Sequence, residues 1–290
     1  MDRRLAALLG LAAIVLGAAG LTAHLAVSGP SEPTIGADWL HLSTALSDLP
    51  VPGESDQQTA SLVFDIDQDG VDDFVIGSRR IAPSLVWYRR QTGGWHRYVI
   101  DPELLSLEAG GASHDIDRDG DLDFVMGEDR SGSKVYWWRN PHPNHDPDTP
   151  WRRYVIKDSG GTKHHDQIFG DFDADGEAEL VFWNQGAQKL FLAEIPASPE
   201  QTEPWHLTPI FETKSEKFEG LAKGDLDGDG DTDLIGGGRW FEYVGVATYI
   251  AHVIDDAMEF ARAATGQLVE GGWLEVVFVV GDGVGRLKWY

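Results

Sequence analysis

Asp115-Ile116-Asp117-Arg118-Asp119-Gly120-Asp121-Leu122-Asp123 is the stretch on which the fold turns. Carboxylates stand at positions 1, 3, 5 and 9, with a glycine at position 6. Aspartates at alternate positions repel one another, so such a run is tolerated only where a cation gathers them; the glycine permits the sharp turn that folds them inward. The same pattern starts at Asp65, 50 residues earlier (115 − 65), and again at Asp171 and Asp225. The carboxylate sets are Asp65, Asp67, Asp69 and Asp73; Asp115, Asp117, Asp119 and Asp123; Asp171, Asp173, Asp175 and Glu179; and Asp225, Asp227, Asp229 and Asp233. Backbone carbonyls at position 7 add Val71, Asp121, Glu177 and Asp231. Hard oxygen ligands in that number suit calcium better than magnesium, which demands octahedral geometry and keeps its waters. About four structural calcium ions are therefore expected, taking the formal net charge from −25 to −17. Position 12, a bidentate glutamate in EF-hands, is Ile76, Met126, Phe182 or Gly236, so a strand rather than a helix is expected after each loop. A fifth copy, Gly266 to Glu275, keeps the glycine and the last acid but carries Gln267, Val269 and Gly271 in place of the first three acids, and should hold no metal.

A second marker repeats in phase. Trp39, Trp95, Trp151 and Trp205 each open a strand-like stretch, and the last three precede the next acidic loop by twenty residues (115 − 95, 171 − 151, 225 − 205). Between the markers lie short β-rich runs such as Asp73-Phe74-Val75-Ile76-Gly77 and Leu85-Val86-Trp87-Tyr88. Four strands per repeat of about 50 residues predict an all-β fold, a β-propeller of four-stranded blades. The ends suggest how the ring is completed: Trp39 to Leu46 reads as an outermost strand, and Leu274 to Tyr290 as the second and third strands of the last repeat. Together they predict five blades, with the N-terminal strand closing the last; the alternative is a truncated copy of a larger propeller.

On these loops the chain resembles the FG-GAP/VCBS repeat family, the calcium-binding repeats of integrin α-subunits and of bacterial exported proteins. The resemblance covers essentially Trp39 to Tyr290, and Val135-Tyr136-Trp137-Trp138-Arg139-Asn140-Pro141 also looks like the bacterial members. It implies the propeller and calcium, but it leaves the task open among adhesion, glycan binding, polysaccharide lyase and sugar dehydratase activity.

The N-terminus, Met1-Asp2-Arg3-Arg4 followed by an apolar run from Leu5 to Leu21, reads as an export segment, either a signal cleaved after Ser28 or a retained membrane anchor. The expected organisation is a leader at 1–28, a linker at 29–36 and the propeller at 37–290, outside the cytoplasm. Acidic residues number 48 against 23 basic ones, which speaks against nucleic acid as a partner. The absence of cysteine excludes disulfides, a thiol nucleophile and zinc–thiolate sites. The insert Pro141-His142-Pro143-Asn144-His145-Asp146-Pro147-Asp148 reads as a hairpin extension rather than a transition-metal site.

In a propeller the face opposite the acidic loops usually takes the ligand. Arg79, Arg80, Glu128, Asp129, Asn184 and Arg239 fall there as candidate ligand-binding residues, with Glu108, Lys163, Asp166, Lys217, Glu219, Glu259 and Arg262 nearby. Basic groups gathered at one end of an acidic molecule suggest an acidic polysaccharide or a surface protein as partner, unless the arginines are buried in ion pairs between blades. A lyase would need a base and a cation for the enolate, for which the candidate catalytic residues are His164, His165 and Arg130. Three functions stay open: a recognition module, an enzyme on an anionic sugar, and a purely structural surface protein.

Overall fold

The computed structural model describes residues 40–246 and 248–290. The chain divides into two units, Met1–His41 and Leu42–Tyr290. The expected leader, the linker and Trp39 lie outside the described residues.

The second unit is all-β, five blades of antiparallel meanders. The first blade holds β1 (Gln58–Phe64), β2 (Asp73–Ser78), β3 (Leu85–Gln91) and β4 (Gly94–Asp101). The second holds β5 (Ala112–His114), β6 (Asp123–Gly127), β7 (Val135–Arg139) and β8 (Arg152–Lys157). The third holds β9 (His164–Gly170), β10 (Glu179–Asn184), β11 (Lys189–Glu194) and β12 (Leu207–Glu212). The fourth holds β13 (Ala222–Gly224), β14 (Asp233–Gly236), β15 (Arg239–Tyr243) and β16 (Tyr249–Val253). The fifth holds β17 (Ala261–Gly266), β18 (Glu275–Val280) and β19 (Lys288–Trp289), three strands among the described residues. Every acidic loop joins the first strand of its blade to the second, as the motif requires.

Blades stack through apolar faces, because strands buried on both sides carry large side chains at successive positions. Phe182 and Trp183 in β10 show the pattern: Phe182 packs toward blade two and Trp183 toward blade four. Four clusters fill the four interfaces from the first blade to the fifth. The tryptophan marker has a structural task here. The Trp151 amide donates to the Ile100 carbonyl at 3.0 Å and Trp205 to Ile156 at 2.9 Å, so each fourth strand is latched to that of the preceding blade. Both indoles are buried at those seams.

The N-terminal strand expected to close the last blade is corrected by the structure. Leu40 to Ser43 form no strand, and Thr44–Leu46 is a 3-10 turn capped by Ser43, whose Oγ accepts from the Ala45 amide at 3.0 Å. The segment that follows lies instead on blade one. Tyr88 Oη donates to the Pro50 carbonyl at 2.6 Å and Arg97 Nε to Pro52 at 3.0 Å, over the face that bears Phe74 and Tyr88. Pro50 and Pro52 have no amide hydrogen, so this stretch cannot continue a ladder.

Candidate metal loops and arginine cleft

The four acidic loops share one construction. Positions 4 and 6 are left-handed throughout: Gln68, Arg118, Ala174 and Gly228 at φ 56° to 79°, and Gly70, Gly120, Gly176 and Gly230 at φ 87° to 99°. Glycine at position 6 is the residue that takes such a turn without strain. Its amide donates to the first aspartate in each loop, as Gly70 does to Asp65 Oδ2 at 2.9 Å and Gly176 to Asp171 Oδ2 at 3.1 Å. Position 5 accepts from the amide of position 7, as in Asp69 from Val71 at 2.9 Å. The carboxylates are thereby aimed inward by the loop's own backbone.

Position 9 has a structural job beside the one its spacing suggests. Asp123 is fully buried; it accepts from the Ile116 amide at 3.1 Å and the Asn140 amide at 2.7 Å. Asp233 does the same with Leu226 at 3.0 Å and Tyr243 at 3.1 Å, and Asp73 takes the Trp87 indole at 3.0 Å and the Arg90 amide at 2.7 Å. This residue pins the loop to the third strand. The ligand atoms that converge are positions 1, 3 and 5 in the first and fourth loops (Asp65, Asp67, Asp69; Asp225, Asp227, Asp229). In the second and third they are positions 1, 3 and 9 (Asp115, Asp117, Asp123; Asp171, Asp173, Glu179). Within each set all ligand atoms lie within 4.8 Å of one another.

The donor sets fit a cation. Asp67 Oδ1, Asp115 Oδ1, Asp171 Oδ1 and Glu179 Oε1 are buried without a hydrogen-bond partner, an arrangement that costs free energy unless an ion meets them. Burial, with neighbouring aspartates adding, pushes Asp123 up to about 8, while burial and the adjacent Asp119 push Asp121 up to about 7. Glu179, raised mainly by burial, stands at about 7. The decayed fifth copy shows the converse. There Gln267 Nε2 donates to the carbonyls of Val269 at 2.6 Å, Gly271 at 3.0 Å and Trp273 at 3.4 Å, and Glu275 still accepts from the Leu268 amide at 2.7 Å. An amide donor occupies the middle of a loop that has lost its acids.

On the opposite face, one side chain from each blade joins a line in which acids alternate with arginine or histidine. Arg79 pairs with Glu108; His165 Nε2 lies 3.6 Å from Glu108 Oε1 and 3.1 Å from Glu219 Oε1; Glu219 pairs with Arg262. Glu108, His165 and Glu219 are buried. Burial, together with the Asp129 contact, raises Glu108 to about 7. The sequence placed these residues at one end of the molecule but gave no sign that they pair across blades.

The candidate ligand residues separate accordingly. Asn184 and His164 are fully buried and satisfied within the protein: Asn184 Nδ2 donates to Gly161 O at 3.0 Å, and His164 Nδ1 lies 2.9 Å from Glu128 O. Burial holds His164 down to about 3, which leaves it a neutral packing residue. Glu128 accepts from Tyr136 Oη and the Lys134 amide, and Arg239 stacks 4.6 Å over Phe218. By contrast Arg79, Arg80 and Arg130 come together around a cleft of about 550 Å³ at the seam of blades one and two, with Gln57, Ser106 and Ser131. Asp129 on its wall lies 3.1 Å from Arg79 Nε. His164 and His165 line no part of it. A larger cleft of about 670 Å³ is built by the blade-two insert, beside Arg139 and Asn140.

The family described as FG-GAP-like repeat matches residues 115–182, from the first aspartate of the second loop to the strand after the third. Residues 115–182 thus carry an FG-GAP-like repeat. A search of curated proteins finds no match. Among solved structures, the V. cholerae biofilm matrix protein Bap1 is similar at 15% identity and a TM-score of 0.44, over 76% of this chain and 34% of its own. Rhamnogalacturonan lyase YesW is similar at 13% identity and a TM-score of 0.46, over 80% of this chain and 48% of its own. The chain thus spans about a third and about half the length of these two proteins, and at that similarity neither carries a task to it. No helix among the described residues is long and apolar enough to cross a membrane.

Proposed function

We propose that this protein is an extracytoplasmic, calcium-held recognition module that binds an anionic glycan at the arginine cleft. The observation behind the ligand is the gathering of Arg79, Arg80 and Arg130 at one cleft of a chain with a formal net charge of −25. Arg79 is held in place by Glu108 and Asp129, a fixed cation rather than a mobile one, and Arg80 reaches Asp56 only at the exposed surface. Guanidinium groups take carboxylate or sulfate oxygens in pairs, and the serines and Gln57 offer partners for sugar hydroxyls. Calcium would be held by the converging aspartates of the four loops and would supply the positive charge that lets them stay ionised and close together.

Recognition without catalysis is favoured by the histidines. His164 is sealed between blades, and His165 is enclosed by Glu108, Asp166 and Glu219, away from the cleft. The test is to incubate the calcium-saturated protein with acidic and neutral polysaccharides, following binding by calorimetry and double-bond formation by ultraviolet absorbance. Binding of acidic polymers that falls at least tenfold in an Arg80→Ala, Arg130→Ala double variant, with no absorbance change, is expected. Equal binding by wild type and double variant would remove the cleft from the account, and a growing absorbance signal would make the protein a lyase.

A further inference from the structure

The four loops look alike in sequence, yet the residue facing each from the third strand differs in charge. Within β10 and β11, Glu194 lies directly across from position 9, Glu179. One step on from the pairs Phe74↔Tyr88, Phe124↔Trp138 and Leu234↔Phe241, the same place is taken by Arg89, Arg139 and Glu242. The arginines enter their loops. Arg89 Nε lies 2.5 Å from Asp67 Oδ2. Arg139 Nε lies 2.6 Å from Asp117 Oδ2, and its Nη2 donates to Asp119 Oδ2 at 2.9 Å. In the third loop the opposite holds: Glu194, across the hairpin from Glu179, sets another carboxylate beside the loop's own. In the fourth blade Glu242 holds the corresponding register position, with its Oε2 2.6 Å from His252 Nε2.

We infer that the four loops form two classes: the third and fourth hold calcium tightly, whereas in the first and second an arginine supplies part of the positive charge and leaves calcium weakly held. The inference rests on the calcium reading of the loops and divides it. A divalent ion feels a neighbouring unit charge at about 6 Å by about 1.4 kcal/mol even at the dielectric of water, or about tenfold in affinity. Arginine in place of glutamate reverses the sign of that contribution, so the classes should differ by more than tenfold. The decayed fifth copy, with Gln267 at its centre, extends the series to a loop that needs no ion. As calcium falls, the first and second loops empty first but keep a counter-charge of their own, whereas blades three and four hold until their tighter sites empty and then loosen with no internal cation to replace the ion.

Amide hydrogen exchange read by mass spectrometry resolves the loops separately, since each lies in its own stretch of chain. Protection of the segments 65–73, 115–123, 171–179 and 225–233 would be followed in the full protein across a calcium titration. The expected midpoints for the third and fourth loops lie at least about tenfold below those of the first and second. Arg139→Met should lower the second-loop midpoint at least about tenfold, and Glu194→Gln should raise that of the third. One common midpoint for all four loops, or midpoints indifferent to both variants, overturns the inference while leaving the calcium sites standing. Protection that does not respond to calcium in any loop defeats the calcium reading itself.

Discussion

Replacing Asn140 by alanine should unlock two acidic loops at once. Its side chain is buried, 1% exposed, and makes four hydrogen bonds. Nδ2 donates to Ile66 O in the first loop at 2.8 Å and to Leu122 O in the second at 3.2 Å. Oδ1 accepts from the His142 amide at 3.2 Å and meets His145 Nε2 at 2.8 Å, anchoring the blade-two insert. Truncation leaves two carbonyls and two donors facing a small void, and a stranded buried group costs about 1–3 kcal/mol unless water reaches it. With water admitted to part of the space, a net loss of about 3 kcal/mol is expected, lowering the melting temperature by about 6–12 °C in a domain of this size. The assay is urea and thermal unfolding in saturating calcium, with Asn144→Ala, an exposed change in the same insert, as control. A loss below about 1 kcal/mol, no larger than the control, would refute the role given to this side chain as the tie between loops.

Further expectations concern the interior and the fifth copy. His164 is held neutral down to about 3 by burial, against 6.5 for the free side chain, so unfolding takes up a proton. Its contribution is therefore complete above pH 6.5 and is lost as pH falls toward 3, by about 2 kcal/mol at pH 5; unfolding free energies of wild type and His164→Gln should diverge across that window, and parallel curves would sink the assignment. Gln267→Ala should cost about 1 kcal/mol whether calcium is present or chelated, because its three carbonyl partners are open to water; a cost that appears only with calcium would mean that the fifth loop holds an ion after all.

The motif made the blades legible because a carboxylate at every second position has no use in an ordinary turn, and because the tryptophan marker keeps a fixed distance from it. Trp151 and Trp205 proved to latch successive blades, a reason for that distance which lies in three dimensions. Positions 1 and 3, which the spacing marks, converge in every loop. The spacing gave no sign of the structural work of position 9, where both oxygens of Asp123 also accept backbone amides, one of them from Asn140 at the far end of the neighbouring hairpin. The N-terminal strand was misread for a similar reason. Trp39-Leu40-His41-Leu42 has strand-like composition, but Ser43 and Asp48 favour a capped turn and the prolines after it seat the chain on blade one. Pairings such as Arg79 with Glu108, or His165 with Glu219, join residues on different blades, and no local pattern marks them.

The measurement that bears most directly on the account is native mass spectrometry of the protein prepared with calcium and again after chelation, paired with calorimetric melting of the same samples. Up to four calcium ions per chain, two of them retained at the lowest calcium level, with a melting temperature that drops on chelation, is the predicted result. A chain that carries no calcium at any concentration and melts at the same temperature with and without chelator would contradict it.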